Sequence, residues 1–280
     1  MKKLNLENIN KSDIKWHIIN FPDGEVSIEI DDEIDHKIDY IDIYVRITSA
    51  EKLFILMQVC DILKRHGIEY NIMITYLMSM RMDRVMSWNR PFSLKVVADM
   101  IKLCEAHNVY VLEPHSNRTI TELGGLTMIN PMTEIQNNAV NDVLSNTNHV
   151  VIFPDAGAKE RYTNMNVDNN RIILFDKKRD IETGKILSLE PKKKEISDSW
   201  IKIVSDITVI DDLCDGGGTF VGIAKYIRTL NPTCKLQILL THAVNPDGIK
   251  NLYEYYDNIT ITNSYANWTN NKKINVLEVI

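Results

Sequence analysis

The stretch ITVIDDLCDGGGTFVGIAKYIRTL, from Ile207 to Leu230, decides the fold. Ile207, Val209 and Ile210 form a short β-rich run that ends in the acid pair Asp211 and Asp212. Leu213, Cys214, Asp215 and three glycines follow, and from Thr219 the apolar period changes: Phe220, Ile223, Ala224, Ile227 and Leu230 fall at helical spacing. The passage reads strand, tight glycine-rich loop, helix. In an open α/β sheet such a loop lies at the carboxyl end of a strand and at the positive end of a helix, where bare backbone N–H groups hold a phosphate. Gly216, Gly217 and Gly218 can take positive φ and let an anion approach the main chain, while Thr219 can cap the helix and donate a hydroxyl. Two adjacent carboxylates suit another task, accepting hydrogen bonds from the diol of a ribose, directly or through a divalent cation. A lone glycine triplet marks an ordinary turn; paired acids, a further acid, Gly-Gly-Gly-Thr and an amphipathic helix in this order are far more specific.

The 280 residues, 44% hydrophobic, suffice for two domains with separate cores, placed at 1–140 and 141–280. A net charge of −6 offers no basic footprint for nucleic acid or an anionic membrane surface. The opening MKKLNLENINKSDIKW has no apolar signal region and no later run approaches a membrane span, so a soluble, cytoplasmic protein is expected. Cys60, Cys104, Cys214 and Cys234 are scattered without metal or disulfide spacing and read as reduced thiols.

The grammar of the central stretch recurs. From Tyr40 the chain reads as a strand, a polar turn at Thr48 and Ser49, and a helix with Leu53, Leu56, Met57, Cys60 and Leu63 on one face; Gly67 closes it and Ile68 to Leu77 is the next strand. Ahead of it FPDGEVSIEI, from Phe21, is a Pro-Asp-Gly turn and an alternating strand. Arg81, Arg84 and Arg90 lie in a polar break before a helix whose apolar face uses Leu94, Val97, Ala98 and Ile101, and NVYVLEPHS, from Asn108, is a strand ending in Glu113, Pro114 and His115. HVVIFPDAGAKERY, from His149, is an apolar strand, Asp155 and a small-residue turn at Ala156 and Gly157 with Lys159 and Arg161; such a turn lets N–H groups face a diphosphate. RIILFDKKRD, from Arg171, is a strand with a basic end, followed by a hairpin around Thr183-Gly184 and a solvated turn from Pro191 to Glu195. The fold expected is α/β: two related domains, each a central, mostly parallel sheet flanked by helices.

The paired acids and the glycine loop resemble those of the type I phosphoribosyltransferase fold. Within it, Phe21-Pro-Asp-Gly-Glu25, the Arg81-Met82-Asp83 loop ten residues before Pro91, Glu113-Pro-His115, Pro154-Asp155-Ala-Gly157 and Asp176-Lys-Lys-Arg179 resemble, in order, the motifs of the ribose-phosphate diphosphokinases. The resemblance runs through nearly the whole chain from Phe21, with ITNSY and INVLEVI as closing strands; the family's opening strand and helix have no evident counterpart. It implies that Phe21, Asp23 and Glu25 reach into a neighbouring subunit and help hold the adenine of ATP, so that a homo-oligomer, dimer or hexamer, carries the ATP site at a subunit interface. It implies further that Arg81 and Asp83 bind ATP, that His115 and Asp155 bind Mg²⁺, that Asp155, Ala156 and Gly157 form the diphosphate loop, and that Lys177 and Arg179, with His115, are the catalytic groups. Asp211 and Asp212 would hold the sugar diol, and Asp215 to Thr219 the 5-phosphate.

The reaction implied is transfer of the β,γ-diphosphoryl group of ATP to the anomeric hydroxyl of a ribose, releasing AMP. Four residues depart from the family pattern: Met82 for Gln, Met86 for an acid, Glu113 for the more usual Asp, and Gly216 for Thr in the phosphate loop. A lost hydroxyl contact to a charged group is worth about 1.5 to 3 kcal/mol, so besides ribose 5-phosphate an acceptor larger at the 5-position is considered, ADP-ribose, whose 1-diphosphate would feed NAD⁺ synthesis. A phosphoribosyltransferase and a noncatalytic regulatory relative share the fold. The basic segments argue against the first, and retention of His115, Asp155, Lys177, Arg179, Asp211 and Asp212 against the second.

Overall fold

The computed structural model describes residues 2–31, 40–124, 148–162, 171–179 and 186–280, with Lys178, Arg179 and Ile186 described by their backbone alone. Two compact units divide the chain, Met1–Asn130 with Ile280, and Pro131–Val279.

The first unit contains β1 (Lys2–Asn5), β2 (Trp16–Asn20), β3 (Val26–Ile30), β4 (Tyr40–Ile47), α1 (Ala50–Arg65), β5 (Glu69–Leu77), α2 (Ser93–Lys102), β6 (Asn108–Val111) and α3 (Asn117–Leu123). Its sheet runs β1-β4-β5-β6 with every pair parallel. Helix α1 forms where the sequence predicts it. The Ser49 hydroxyl accepts from the Lys52 N–H, Leu53, Leu56, Cys60 and Leu63 are buried, and Gly67 ends the helix at φ +67. One expectation is corrected: an opening strand is present. Lys2 to Asn5 pair in parallel with Ile41 to Tyr44, followed by only a short 3₁₀ turn at Ile9–Lys11. The Phe21 segment is the tip of an antiparallel hairpin, β2 with β3, tied to α1 through Gln58, whose amide donates to the Val26 carbonyl at 3.0 Å.

The second unit contains β7 (His149–Phe153), α4 (Ala156–Arg161), β8 (Ile172–Arg179), β9 (Ile186–Pro191), α5 (Lys194–Ile203), β10 (Asp206–Cys214), α6 (Gly218–Leu230), β11 (Lys235–Ala243), α7 (Pro246–Lys250), β12 (Asn258–Thr262) and β13 (Ile274–Leu277). Its sheet order is β13-β12-β11-β10-β7-β8-β9, parallel except for the β8–β9 pair. That pair is the expected hairpin, whose Thr183-Gly184 turn lies outside the described residues. The solvated turn expected from Pro191 to Glu195 is shorter: Pro191 closes β9, and Lys194 and Glu195 already belong to α5, whose Ser197 and Ile201 face inward. No helix among the described residues is long and apolar enough to cross a membrane.

The order places a switch point between β7 and β10. After β7 the chain moves outward through β8 and β9, then returns to lay β10 on the other side of β7, with Asp206 to Val209 opposite His149 to Ile152. Alternate residues serve opposite faces. Val150, Ile152, Ile207 and Val209 pack with Phe220, Ile223 and Ile227 of α6, whereas Val151, Phe153 and Ile210 pack with Ala158 of α4. The loops leaving β7 and β10 therefore diverge, and a crevice at the carboxyl ends of the two strands follows.

The β10–α6 loop is braced from behind by α7, which presses its backbone onto the loop at Gly248. A Cβ built at Gly248 would stand 1.5 Å from the Asp215 carbonyl oxygen, and one at Gly217, where φ is +75, would stand 2.5 Å from the Gly248 carbonyl oxygen. Asn245 caps α7 by accepting from the N–H groups of Asp247 and Gly248. Gly248→Ala is therefore expected to push the loop out of place, lowering stability by about 1 to 3 kcal/mol; an unchanged melting temperature would contradict this contact.

A second test concerns His149, which is buried on β7 with Nε2 2.9 Å from the Thr208 hydroxyl. Burial pushes its pKa down to about 4. The unfolded chain, with a histidine near the ordinary value of about 6.5, takes up this proton first as the pH falls. Stability is thus lost between roughly pH 6.5 and 4, by at most about 3 kcal/mol from this residue. His149→Gln should flatten that limb in chemical unfolding measured across the range; an identical pH dependence in both proteins would contradict the assignment.

Candidate active site

Strand β10 delivers Asp211 and Asp212 into nearly complete burial, at 7% and 2% exposure. Two adjacent carboxylates repel each other, and burial removes the water that would screen them. Arg161, the last residue of α4, supplies the counter-charge: its Nη2 donates to Asp211 Oδ1 and to Asp212 Oδ1, each at 2.6 Å. Asp211 Oδ1 also accepts from the Asp212 N–H at 3.0 Å. Burial and the neighbouring Asp212 push the Asp211 carboxyl well above the usual carboxylate range, with Arg161 opposing them. Arg161 itself is held protonated by both acids against the cost of burying it. Sequence reasoning placed Arg161 in the turn but gave it no role, because its partners lie 50 and 51 residues away and meet it only through the β7–β10 pairing.

Beyond the acids, Asp215 and Gly216 are exposed and Gly217 is the N-cap of α6, with no side chain capping that end. This corrects the expectation for Thr219. It sits inside the first turn, buried, and the N-cap of this 13-residue helix, Gly217, makes no side-chain capping hydrogen bond. Uncapped amides at the positive end of a helix dipole suit an anion. Nothing lies within 4 Å of a Cβ built at Gly216 or Gly218, so these two glycines leave open space. The Asn245 amide donates to Asp215 Oδ1 at 3.5 Å and the Asn251 amide to the Gly216 carbonyl at 3.4 Å, which sets two further donors along the loop.

After β7, the small-residue turn is the first turn of α4. Asp155 caps it, with Oδ1 accepting from the Ala158 N–H at 2.9 Å, and Oδ2 lies 2.5 Å from Lys177 Nζ on β8. Burial would raise the Asp155 pKa, but these partners hold it below the ordinary value. Gly157 keeps the turn narrow: a Cβ there would stand 3.3 Å from Asp155 Oδ1 and 3.6 Å from Arg161 Nη1. The second unit thus gathers Asp155, Ala156, Gly157, Lys177, Asp211, Asp212 and the Asp215–Thr219 loop at the ends of β7, β8 and β10. The side chain of Arg179 lies outside the described residues.

In the first unit, the Arg81 loop leaves the carboxyl end of β5 and His115 follows that of β6. Ser79 and Glu113, at these two strand ends, take positive φ of 66° and 38°, a strained backbone of the kind that clusters at functional sites. Arg81, Met82 and Met86 are exposed. Asp83 instead turns inward, buried, with Arg84 Nε donating to it at 2.9 Å. Burial opposes its ionisation, yet Arg84 and nearby His115 hold its pKa below the usual value. Phe21, Asp23 and Glu25 stand exposed at the hairpin tip, closed by Phe21 N–H to Glu25 O at 2.9 Å and turned by Gly24 at φ +92.

Known proteins resemble this chain along most of its length. Residues 4–104 match the model of the N-terminal domain of ribose phosphate pyrophosphokinase. A ribose-phosphate pyrophosphokinase of Mycoplasmopsis pulmonis is 23% identical over 95% of this chain and 83% of its own length, and one of Thermococcus kodakarensis is 23% identical over 92% and 89%. The crystal structure of phosphoribosylpyrophosphate synthetase from Mycobacterium smegmatis superposes with a TM-score of 0.76 at 15% identity, covering 100% of this chain and 95% of that one. The fold, the order of the motifs and these relatives together make the chain similar to the ribose-phosphate pyrophosphokinases over nearly its whole length and support an enzyme of this kind.

Proposed function

We propose that the protein transfers the β,γ-diphosphoryl group of ATP to the anomeric hydroxyl of ribose 5-phosphate. The observation that carries this reading is the convergence, in one unit, of a buried acid pair, an anion seat on uncapped helix amides and a lysine beside the Asp155 turn. The sugar oxygen attacks the β-phosphorus and forms the new O–P bond. The bond from that phosphorus to the oxygen bridging the α-phosphorus breaks, AMP leaves with the bridging oxygen, and the hydroxyl proton passes to solvent. No covalent enzyme intermediate is needed.

Each group has a task. Asp211 and Asp212 accept from the sugar diol, and the Asp215–Thr219 amides hold the 5-phosphate, so the anomeric oxygen is aimed before reaction. Lys177, already partnered with an anionic oxygen of Asp155, meets the transferring phosphoryl oxygens, with Arg179 assigned beside it. Arg81 binds ATP phosphate, Asp83 fixes the loop that presents it, and the hairpin tip of Phe21, Asp23 and Glu25 meets the adenine bound to a neighbouring copy in a homo-oligomer.

Mg²⁺ takes one or two hard protein ligands and otherwise substrate oxygens and water. Among the described residues no group of three or more His, Cys, Asp or Glu side chains is arranged to hold a metal ion. In the second unit the partly exposed Asp155 carboxylate is the residue that would hold the ion; in the first unit the half-buried His115 is the residue assigned to it. Bound with ATP, it supplies neutralisation of the triphosphate charge.

Open space at Gly216 and Gly218 favours a second acceptor, ADP-ribose, whose 5-substituent would need that room. Asn245 and Asn251, as donors beside the loop, favour ribose 5-phosphate by replacing the hydroxyl that Gly216 lacks. Incubation with Mg-ATP and each sugar, with AMP read by chromatography, decides between them. Turnover of ribose 5-phosphate at saturating rate and none of ADP-ribose is expected; the reverse assigns the larger acceptor, and no AMP from either overturns the reading. Lys177→Ala should lower kcat about 100-fold or more with the KM for ATP little changed, and an unaltered kcat would remove the lysine from the mechanism.

A further inference from the structure

Arg161 lies on the six-residue helix that opens with the Asp155 turn, yet its charge is spent on the far side of the β7–β10 crevice. Its side chain is only 17% exposed. One nitrogen, Nη2, spans both acids at 2.6 Å, and Nη1 stands 3.6 Å from the point where a Gly157 Cβ would be. The guanidinium is therefore wedged between the turn assigned to the diphosphate and the acids assigned to the sugar. Successive residues of a strand point to opposite faces, and two neighbouring carboxylates repel, so Asp211 and Asp212 have no tendency of their own to act as one acceptor pair. A single donor shared by one oxygen of each acid fixes the rotation of both carboxylates.

We propose that Arg161 is a positioning residue that gathers Asp211 and Asp212 into one acceptor for the sugar diol and locks that acceptor to the diphosphate turn. The inference rests on the function proposed above. Arg161 itself touches neither bond that changes. Its consequence is a sugar site whose geometry is set by the end of α4, so that the diol and the diphosphate turn keep a constant spacing as the substrates enter. A lysine at this position would retain the charge but not the planar fork that places one nitrogen on two oxygens while the other faces the turn.

The test compares the wild-type chain with Arg161→Lys and Arg161→Gln. Ribose 5-phosphate binding is measured by titration calorimetry, the KM for each substrate by AMP formation, and folding by thermal unfolding. Arg161→Lys should melt near the wild type, bind ribose 5-phosphate about tenfold more weakly and keep the KM for ATP within about twofold. Arg161→Gln should lose sugar binding further, and if the two uncompensated acids prevent its folding, the lysine variant carries the test alone. Wild-type sugar affinity in Arg161→Lys, or equal weakening toward sugar and ATP, overturns the positioning role. A wild-type protein that binds ribose 5-phosphate but forms no AMP refutes the diphosphoryl transfer and leaves this inference standing, whereas one that binds no sugar phosphate overturns both.

Discussion

Two carboxylates side by side in a nearly water-free strand end cannot both stay ionised without a cation. At β10 that cation is Arg161, which arrives from a different strand–helix unit. Breaking such a pair by removing one partner costs far more than a surface ion pair is worth, because it leaves charge buried without a partner. The arrangement thus ties the site to the fold: β7 and β10 must be neighbours, α4 must begin immediately after β7, and the helix must end one turn later for the guanidinium to reach back. The switch in strand order is the topological expression of that requirement, since it sends α4 and α6 to opposite faces and leaves the acids between them.

The proposed anion seat depends on a second constraint, one of space rather than charge. The loop before α6 is pressed against α7, and this contact admits no side chain at Gly248 or Gly217. Gly216 and Gly218 are different, for open space surrounds both. Glycine at these two positions therefore bears on what approaches the loop, while glycine at the other two bears on whether the loop exists.

Much of this was legible from local pattern. The strand–loop–helix reading of Ile207 to Leu230, the α1 helix with its Gly67 stop, and the inward faces of α2 and α6 all follow from apolar periodicity and glycine C-capping, which act over a few residues. The sequence marks Asp155 as a candidate site residue but not as the cap of α4, and it points to Thr219 as the cap of a helix that begins before it. The opening strand escaped notice because four residues paired along one edge carry too little pattern of their own; only β4 makes them a strand. Arg161 and Gly248 escaped for a related reason. An arginine at the end of a short turn and a glycine in Asn-Pro-Asp-Gly look like surface punctuation until tertiary pairing sets one against two acids and the other against a backbone carbonyl.

The central claim is that buried acids and bare amides at the end of β10 form one seat for a sugar phosphate. The position of ribose 5-phosphate in a crystal of the full chain measures this directly. The account predicts density for the phosphate on the N–H groups of the Gly216–Thr219 segment and for the two ring hydroxyls within hydrogen-bonding distance of Asp211 and Asp212. A phosphate bound elsewhere, with those acids and Arg161 untouched by the sugar, would contradict it.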